Sequence, residues 1–376
     1  MKKFLDCISV VGSTPSRFQG TKKYVSTGAV ATTEIDESEV VEVSYEDRPS
    51  RANLTAEAGD ILFAKMQGTR KTLLLDSETE ENIYSTGFYA VRANPEIITT
   101  ECLYYLVDSE LFLAQKDKNC SGATQKAITN GGLAKIEIRI PPLSEQAVLT
   151  EKLRYLTQLI ADRKKQLELF DEVIKSRFIE MFGDPNNNPM RWSKVKLAEC
   201  LTNIENGKSF VCDSEARTGA NPAVLKLSAA TYGYYQPHEN KAMLDDTLFV
   251  ENAEVHKGDL LFTRKNTPEL VGMCAYVYET PAKLMMPDLI FRLNTKSNCN
   301  KIFLWKIINL DLFRSNVTAL SSGSAKSMSN ISKERLMGLE IILPPIELQN
   351  QFAAFVEQTD KSKYHGESTY ETEVVA

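Results

Sequence analysis

The sequence has few of the residues that catalytic and metal sites most often use. It contains three histidines, none with the spacing of metal ligands, and seven cysteines without a Cys-x-x-Cys pair. We therefore expect reduced, unpaired thiols and no zinc site. No apolar run is long enough to cross a bilayer, and the first residues lack a signal-peptide core, which favours a cytoplasmic protein without a membrane partner.

Several catalytic motifs are also absent. The chain has no G-x-x-x-x-G-K-S/T phosphate loop, no G-x-S-x-G elbow and no Asn-Pro-Pro-Tyr or Asp-Pro-Pro-Tyr motif of amino-methyltransferases. Residues 207–209 (GKS) lack the leading glycine of a phosphate loop. We therefore expect a chain that is not an enzyme by itself and that holds no cofactor.

The composition is otherwise ordinary for a globular protein. The 376 residues are 43% hydrophobic and 25% charged, which is enough for two or three domains that each bury a core. The net charge of −6, taken alone, argues against a nucleic-acid partner. It does not decide the question, because local basic loops set the field at a groove while acidic surfaces face elsewhere.

Two phrases recur at an offset of roughly 200 residues. Residues 59–63 (GDILF) return as 258–262 (GDLLF), and the segment that ends in Gln146 (IEIRIPPLSEQ) returns in the segment that ends in Gln349 (LEIILPPIELQ). Self-similarity at one long offset indicates two whole domains of one design. Such a pair suits a target that also comes in two parts.

Short β-like runs alternate with polar turns in residues 1–140, and one helix is expected from Thr100 through Phe112, with Thr100 as its cap. The same order returns after Trp192, with a strand over 223–227 and a helix over 301–313. This mixture predicts an α+β fold in both halves.

The clearest helix follows Pro141-Pro142, with Ser144 as a candidate N-cap and no proline or glycine before Gly183. Its length is on the order of 55 Å. Its apolar residues repeat at heptad spacing, so the stripe needs a partner helix. We predict partner binding at Leu149, Leu153, Leu156, Ile160, Leu167, Phe170 and Ile174.

A second helix is expected to match the first. Its first turns have a helical pattern at Glu347, Phe352 and Phe355. Residues 359–363, however, are polar, and 365–369 have the composition of a tail. We therefore predict that the second helix is much shorter than the first.

Polar and basic loops occupy corresponding places in the two halves. Arg and Lys suit guanine edges and phosphates, and Gln and Asn suit adenine edges. For any single residue a solvated surface loop is the alternative, and the recurrence supports the sets. We predict DNA contacts at Arg17, Lys22, Lys23, Lys65, Gln67, Thr69, Arg70, Lys71, Thr124, Gln125, Lys126, Lys208, Arg264, Lys265, Asn266, Ser324 and Lys326.

Taken in order, the repeated phrases, the heptad helix and residues 178–185 (FIEMFGDP) make the chain resemble the specificity subunit of type I restriction–modification systems up to about residue 358. The resemblance implies two target-recognition domains, 1–143 and 184–345, separated by a coiled-coil spacer helix, 144–183. A truncated second spacer helix and tail would occupy 346–376. Each domain is expected to read half of a split site in double-stranded DNA. The helices would dock methyltransferase subunits, and motor-nuclease subunits would join for cleavage.

The short second helix departs from that family, in which the two spacer helices are similar in length. We expect the exposed stripe to be covered by a methyltransferase subunit, a second copy of this chain or a separately encoded fragment. Two other functions stay open: the specificity protein of a combined restriction–modification enzyme, and a truncated or regulatory protein that binds methyltransferase subunits without full DNA reading.

Overall fold

The computed structural model describes residues 1–322 and 328–375, with side chains up to Lys361. The chain divides into two compact units, Met1–Asp162 and Arg163–Ala376. In the described residues, no helix has both the length and the apolarity to pass through a membrane. The same part of the chain has no cluster of His, Cys, Asp or Glu arranged to hold a metal ion. All seven cysteines are free.

The first unit is built on short strands and three short helices, and the long helix α4 begins in it. Its elements are β1 (Lys2–Lys3), β2 (Ile8–Val11), β3 (Thr21–Val25), β4 (Val30–Ala31), β5 (Glu34–Ile35), β6 (Val41–Ser44), β7 (Ala52–Leu54), β8 (Ile61–Ala64), β9 (Thr72–Leu74), β10 (Ile83–Ser85), β11 (Phe88–Ala93), α1 (Thr100–Asp108), α2 (Glu110–Lys118), α3 (Asn130–Leu133), β12 (Glu137–Ile138) and α4 (Leu143–Phe182).

Two four-stranded sheets organise this unit, in the orders β2-β11-β8-β9 and β6-β3-β10-β7. Strand β8, which carries the first GDILF phrase, is buried at every position. Because side chains alternate along a strand, Ile61 and Phe63 enter one hydrophobic cluster while Leu62 and Ala64 enter another. The repeated phrase therefore marks a strand that is covered on both faces.

The second unit repeats this plan. Its elements are β13 (Ser193–Lys196), α5 (Leu197–Cys200), β14 (Leu201–Asn206), β15 (Ala223–Leu225), α6 (Ser228–Thr231), β16 (Asn240–Ala242), β17 (Leu260–Thr263), β18 (Lys265–Asn266), β19 (Cys274–Tyr276), β20 (Leu284–Met285), β21 (Ile290–Thr295), α7 (Lys301–Asn309), α8 (Asp311–Thr318), β22 (Ser329–Asn330), α9 (Lys333–Met337), β23 (Glu340–Leu343) and α10 (Ile346–Val375). Its main sheet has the order β14-β21-β17-β19. Strand β17 matches β8, since Leu260 and Phe262 enter one cluster and Leu261 another. The prediction of two similar α+β domains is confirmed.

The helix predicted over Thr100–Phe112 is two helices in the structure. Ser109 has an extended backbone and ends α1, and its hydroxyl accepts a hydrogen bond from the N–H of Phe112 to cap α2. Thr99, one residue before the predicted cap, accepts from the N–H of Cys102. The helix predicted over 301–313 is split in the same way at Leu310.

The long helix α4 runs over 40 residues, Leu143–Phe182. It begins one residue earlier than predicted, because the carbonyl of Pro142 accepts from the N–H of Glu145 at 2.9 Å. Pro142, and not Ser144, therefore occupies the cap position. At the other end Gly183 has φ +74°, the left-handed conformation that commonly ends a helix.

The second long helix, α10, is shorter than α4, as predicted, with 30 residues against 40. The prediction that a tail replaces it was wrong, since the helical backbone continues to Val375. Polar residues do not end a helix by themselves, and this segment has no proline and a single Gly366.

The end of α4 packs against the start of α10 in the core of the second unit. The Phe352 ring lies 5.5 Å from the rings of both Phe178 and Phe182. One turn later, Phe355 lies 5.8 Å from the guanidinium of Arg177. Contacts further toward the C-terminus of α10 thus lie further toward the N-terminus of α4, so the two helices are antiparallel where they meet.

Candidate nucleic-acid interface

In the first unit the structure joins two of the predicted loops. Residues 65–71 follow β8, and residues 121–127 lead into α3. The N–H of Gln67 donates to the carbonyl of Lys126 at 3.0 Å, and the N–H of Ile128 donates to the carbonyl of Lys65 at 2.9 Å. We call these two segments loop pair 1. Its exposed side chains include Thr124, Gln125 and Lys126.

The second unit has a matching loop pair. Strand β18 pairs with β22, with Lys265 opposite Asn330. The N–H of Ile331 donates to the carbonyl of Arg264 at 2.8 Å, as Ile128 does to Lys65. We call residues 264–267 with 322 and 328–330 loop pair 2. The predicted contacts Ser324 and Lys326 lie outside the described residues.

A cation follows the buried strand in each loop pair and lies against an aromatic ring. Lys65 Nζ is 4.5 Å from the centre of the Tyr89 ring, and the Arg264 guanidinium is 4.9 Å from that of Phe291. Both rings belong to the strand next to β8 or β17, one residue after its start. Burial lowers the pKa of Lys65. The two units thus hold a positive group at the same place by the same kind of contact.

A buried lysine that the sequence analysis missed binds backbone carbonyls of loop pair 1 and of the strand before it. Lys116 is 2% exposed. Its Nζ donates to the carbonyls of Met66 at 2.9 Å, Thr69 at 2.8 Å and Ala64 at 3.3 Å. Burial lowers the pKa of this amine. The signal was available, because Lys116 follows the apolar Phe112 by four residues and so falls on the same helix face.

In the second unit an arginine, at a different position, also donates hydrogen bonds to backbone carbonyls. Arg314 on α8 donates to the carbonyls of Gly272 at 3.0 Å and Val271 at 2.6 Å. In both units, therefore, a cation from the second helix of the pair holds backbone carbonyls of the segment after the buried strand.

Some predicted contacts are used inside the protein. Arg70 pairs with Asp108 at 2.7 Å and Glu110 at 3.0 Å, and its hydrogen bonds to Asp108 raise the pKa of the guanidinium. Lys71 Nζ donates to the carbonyl of Thr27 at 2.5 Å. Asn266 is 8% exposed and its amide donates to the hydroxyl of Thr231. This burial removes Asn266 from the surface that a base edge can reach.

The predicted contacts Arg17, Lys22 and Lys23 form a set of their own, separate from loop pair 1. Lys22 and Lys23 lie on β3, in the other sheet. Each cation has an acidic partner: Arg17 with Glu46 at 2.9 Å, Lys22 with Glu81 at 3.3 Å and Lys23 with Glu37 at 2.8 Å. In the described part of the chain, no hydrogen bond joins this set to loop pair 1. Lys208, its counterpart in the second unit, is exposed.

The repeated Gly-Asp phrase has a structural role. Asp60 is 1% exposed and accepts from Arg92 Nε at 2.6 Å. Asp259 is 8% exposed and lies 2.9 Å from Arg292 Nε. Each aspartate also accepts a hydrogen bond from a backbone N–H three residues earlier, Asp60 Oδ2 from Glu57 and Asp259 Oδ2 from His256. The phrase therefore builds a turn and ties it to the neighbouring strand.

The predicted partner-binding stripe on α4 divides into exposed and buried residues. Leu149 and Leu156 are 41% and 47% exposed. Leu153, Ile160, Leu167 and Phe170 are half-buried. Ile174, which we predicted to bind a partner, is 4% exposed and belongs to the core of the second unit. The free part of the stripe therefore ends before Ile174.

Comparison with known families gives a match over most of the chain. The family described as type I restriction modification DNA specificity domain matches residues 12–169 and again 189–373. Each match includes one of the two loop pairs. The two matches thus repeat the duplication that the sequence and the two units display.

Individual relatives carry the same kind of description. The chain is 29% identical to the type I restriction enzyme EcoEI specificity subunit of Escherichia coli over 207 residues, which is 54% of this chain and 35% of that protein. It is 22% identical to the EcoKI specificity subunit of Escherichia coli strain K12 over 321 residues, 80% of this chain and 67% of that protein. The chain thus spans between about a third and two thirds of these relatives.

A solved structure shares the fold. The type I restriction–modification S subunit from M. genitalium superposes with a TM-score of 0.53 and 13% identity, covering 100% of this chain and 92% of that one. At this identity the likeness concerns the fold alone.

Proposed function

We propose that this chain, which belongs to the type I restriction modification DNA specificity domain family, is the subunit that reads a split DNA sequence for a restriction–modification complex. One observation carries the proposal: corresponding loop pairs recur in the two units, each with a cation held on an aromatic ring. A duplicated reader fits a target of two half-sites. Different side chains in the two loop pairs fit two different half-sites.

Within each reader we assign different work to different groups. Exposed cations such as Lys126 contact phosphates and set the position on the duplex. Neighbouring polar side chains such as Gln125 then face base edges in a groove. The buried Lys116 holds the carbonyls of loop pair 1 and keeps the reading surface in one conformation. Two weak readers on one chain bind a split site more tightly than either alone, because the second contact is intramolecular.

The proposed boundaries follow the elements that connect the readers. Residues 1–143 and 184–345 are the recognition domains, residues 144–183, which include nearly all of α4, are the spacer, and α10 is the second spacer helix. The exposed leucines Leu149 and Leu156 are where a methyltransferase subunit docks. That subunit supplies the methyl-transfer chemistry, motor-nuclease subunits supply cleavage, and this chain supplies the sequence selection.

Methylome sequencing of cells with and without the gene tests the proposal. We expect a split motif, two short half-sites around a gap of unspecified bases, that is methylated only when the gene is present. An unchanged methylome, in a cell that expresses this chain and its methyltransferase partner, would contradict it.

A further inference from the structure

Each long helix is tied to its own unit by a fully buried glutamine. Gln146, in the first turn of α4, is 0% exposed. Its Oε1 accepts from the N–H of Thr99 at 2.7 Å, and its Nε2 donates to the carbonyls of Ile97 at 2.9 Å and Pro141 at 3.0 Å. One side chain thus joins the helix, the segment before it and the start of α1.

The second unit repeats these three bonds. Gln349, in the first turn of α10, is also 0% exposed. Its Oε1 accepts from the N–H of Asn300 at 2.9 Å, and its Nε2 donates to the carbonyls of Asn298 at 3.2 Å and Pro344 at 2.7 Å. Thr99 and Asn300 are the N-caps of α1 and α7. The two glutamines therefore make the same contacts in two units whose loops differ.

The geometry leaves each amide little freedom. Both of its polar atoms are committed, and removing one partner would leave buried carbonyls or an N–H without a hydrogen bond. A helix start that is held at three points on two other segments has a fixed direction relative to its unit. Pro142 and Pro345, which precede the helices, fix φ but leave ψ free. The hydrogen bonds of the glutamine thus restrain the direction of the helix, which the prolines alone do not fix.

A small change in helix direction has a large effect at a distance. Helix α4 has 40 residues, about 60 Å at 1.5 Å per residue. A rotation of about 10° at its start moves its far end by about 10 Å, roughly three base-pair steps of 3.4 Å. A protein that selects one spacing between half-sites must therefore restrict the direction of this helix to well within that rotation.

We propose that Gln146 and Gln349 are positioning residues that fix the direction in which α4 and α10 leave their recognition units, and thereby the gap length that the protein accepts between its two half-sites. The inference rests on the proposed function and deepens it. The loop pairs determine which bases are selected, whereas the glutamines determine how far apart the two half-sites lie.

Selection from a random-sequence duplex library tests the inference, with the full chain purified together with its partner subunits. The wild type is expected to enrich two half-sites at one gap length. Gln146→Met keeps the side-chain length and loses all three bonds. Gln146→Glu keeps the acceptor for Thr99 and loses both donors. For both variants we expect the same half-sites, neighbouring gap lengths among the selected duplexes, and about fivefold lower enrichment at the wild-type gap.

A matched control is available in the same unit. Gln115 makes two hydrogen bonds with the backbone of Glu137, at 2.8 and 3.0 Å, and both lie outside α4. Gln115→Met is expected to keep the single wild-type gap. Gln349→Met is expected to broaden the gap as Gln146→Met does.

The outcomes separate the two claims. If the wild type enriches no split motif, the proposed function fails and the inference fails with it. If the wild type does so but both Gln146 variants, with melting curves showing a folded protein, keep one gap length, the inference alone is overturned. A loss of half-site selection in parallel with the loss of folded protein would reduce the glutamines to a general structural role and also overturn it.

Discussion

The backbone N–H of Gln67 donates a 3.0 Å hydrogen bond to the carbonyl oxygen of Lys126. This bond joins the two segments of loop pair 1. It places the exposed side chains of residues 124–126 beside the segment that follows the buried strand β8. The two segments of loop pair 1 are therefore joined, and the predictions for a DNA-reading surface in the first unit concern this pair.

Lys126→Ala is expected to weaken DNA binding about three- to tenfold and to lower the slope of log affinity against log salt by about one, because one phosphate contact is lost. Lys23→Ala is the matched control. Lys23 lies on β3, in a different sheet from β8, and pairs with Glu37, so its removal should leave the slope unchanged. Fluorescence anisotropy between 50 and 200 mM salt measures both. Equal effects of the two variants would show that loop pair 1 is not the contact surface.

Lys116→Met is expected to lower the free energy of unfolding by about 2–4 kcal/mol, because the three hydrogen bonds from the buried Lys116 amine to backbone carbonyls are lost. Lys118→Met, an exposed lysine at the end of α2, is expected to change it by less than about 0.5 kcal/mol. Urea denaturation gives the two values. Hydrogen exchange should also quicken in residues 65–71 of the first variant alone. Wild-type stability in Lys116→Met would remove this residue from the support of the loop.

Asp60→Ala is expected to destabilise the first unit by about 2–3 kcal/mol, since it removes the buried acceptor of Arg92 Nε and of the Glu57 N–H and opens the Gly-Asp turn. This loss of stability is smaller than that expected for breaking a fully buried pair, because the Arg92 side chain is 46% exposed. Glu57 also pairs with Arg92, at 2.6 Å, but is 76% exposed, so Glu57→Ala should cost under about 1 kcal/mol. Thermal melting compares them, and a larger shift for Glu57→Ala would be the contrary result.

Replacing Leu149 and Leu156 together by lysine is expected to leave the melting temperature unchanged, because both side chains are exposed. The same double variant should no longer co-purify with the methyltransferase subunit, since lysines place charge in an apolar contact. Ile174→Ala serves as the contrast. Ile174 is 4% exposed, and its truncation should cost about 2–4 kcal/mol. Retained co-purification of the double variant would place the docking surface elsewhere.

The duplication could be predicted from the sequence because its signals are local. Strands β8 and β17 are each indicated by a glycine-aspartate turn followed by a run of apolar residues. Helix α4 is indicated by forty residues without proline or glycine. The start of α4 was misplaced by one residue because its first helical hydrogen bonds are accepted by the backbone carbonyl of Pro142, a group that every residue carries and that side-chain type does not indicate. The type and order of these elements were thus readable, whereas the cap of α4, the break at Ser109 and the helical end of α10 were not.

The site could be predicted only in part, because its decisive contacts are distant in the chain. Nothing near Arg70 indicates that Asp108 and Glu110 pair with it. Asn266 looked like an exposed amide in a polar loop, and its burial depends on Thr231. The glutamine of the Pro-Pro phrase stands in the sequence as part of a repeat, but its three partners are defined only by the fold, which brings the segment before α1 next to the start of α4. Residue type gave candidates, and the fold decides which of them remain free.

Hydroxyl-radical footprinting of the purified complex on a duplex that carries its methylated motif tests the central claim most directly. Two recognition units on one chain predict two protected patches, one over each half-site, separated by bases that stay open to cleavage. Lys126→Ala should weaken only the patch read by the first unit. A single continuous patch, or protection that does not depend on the half-site sequences, would contradict the account.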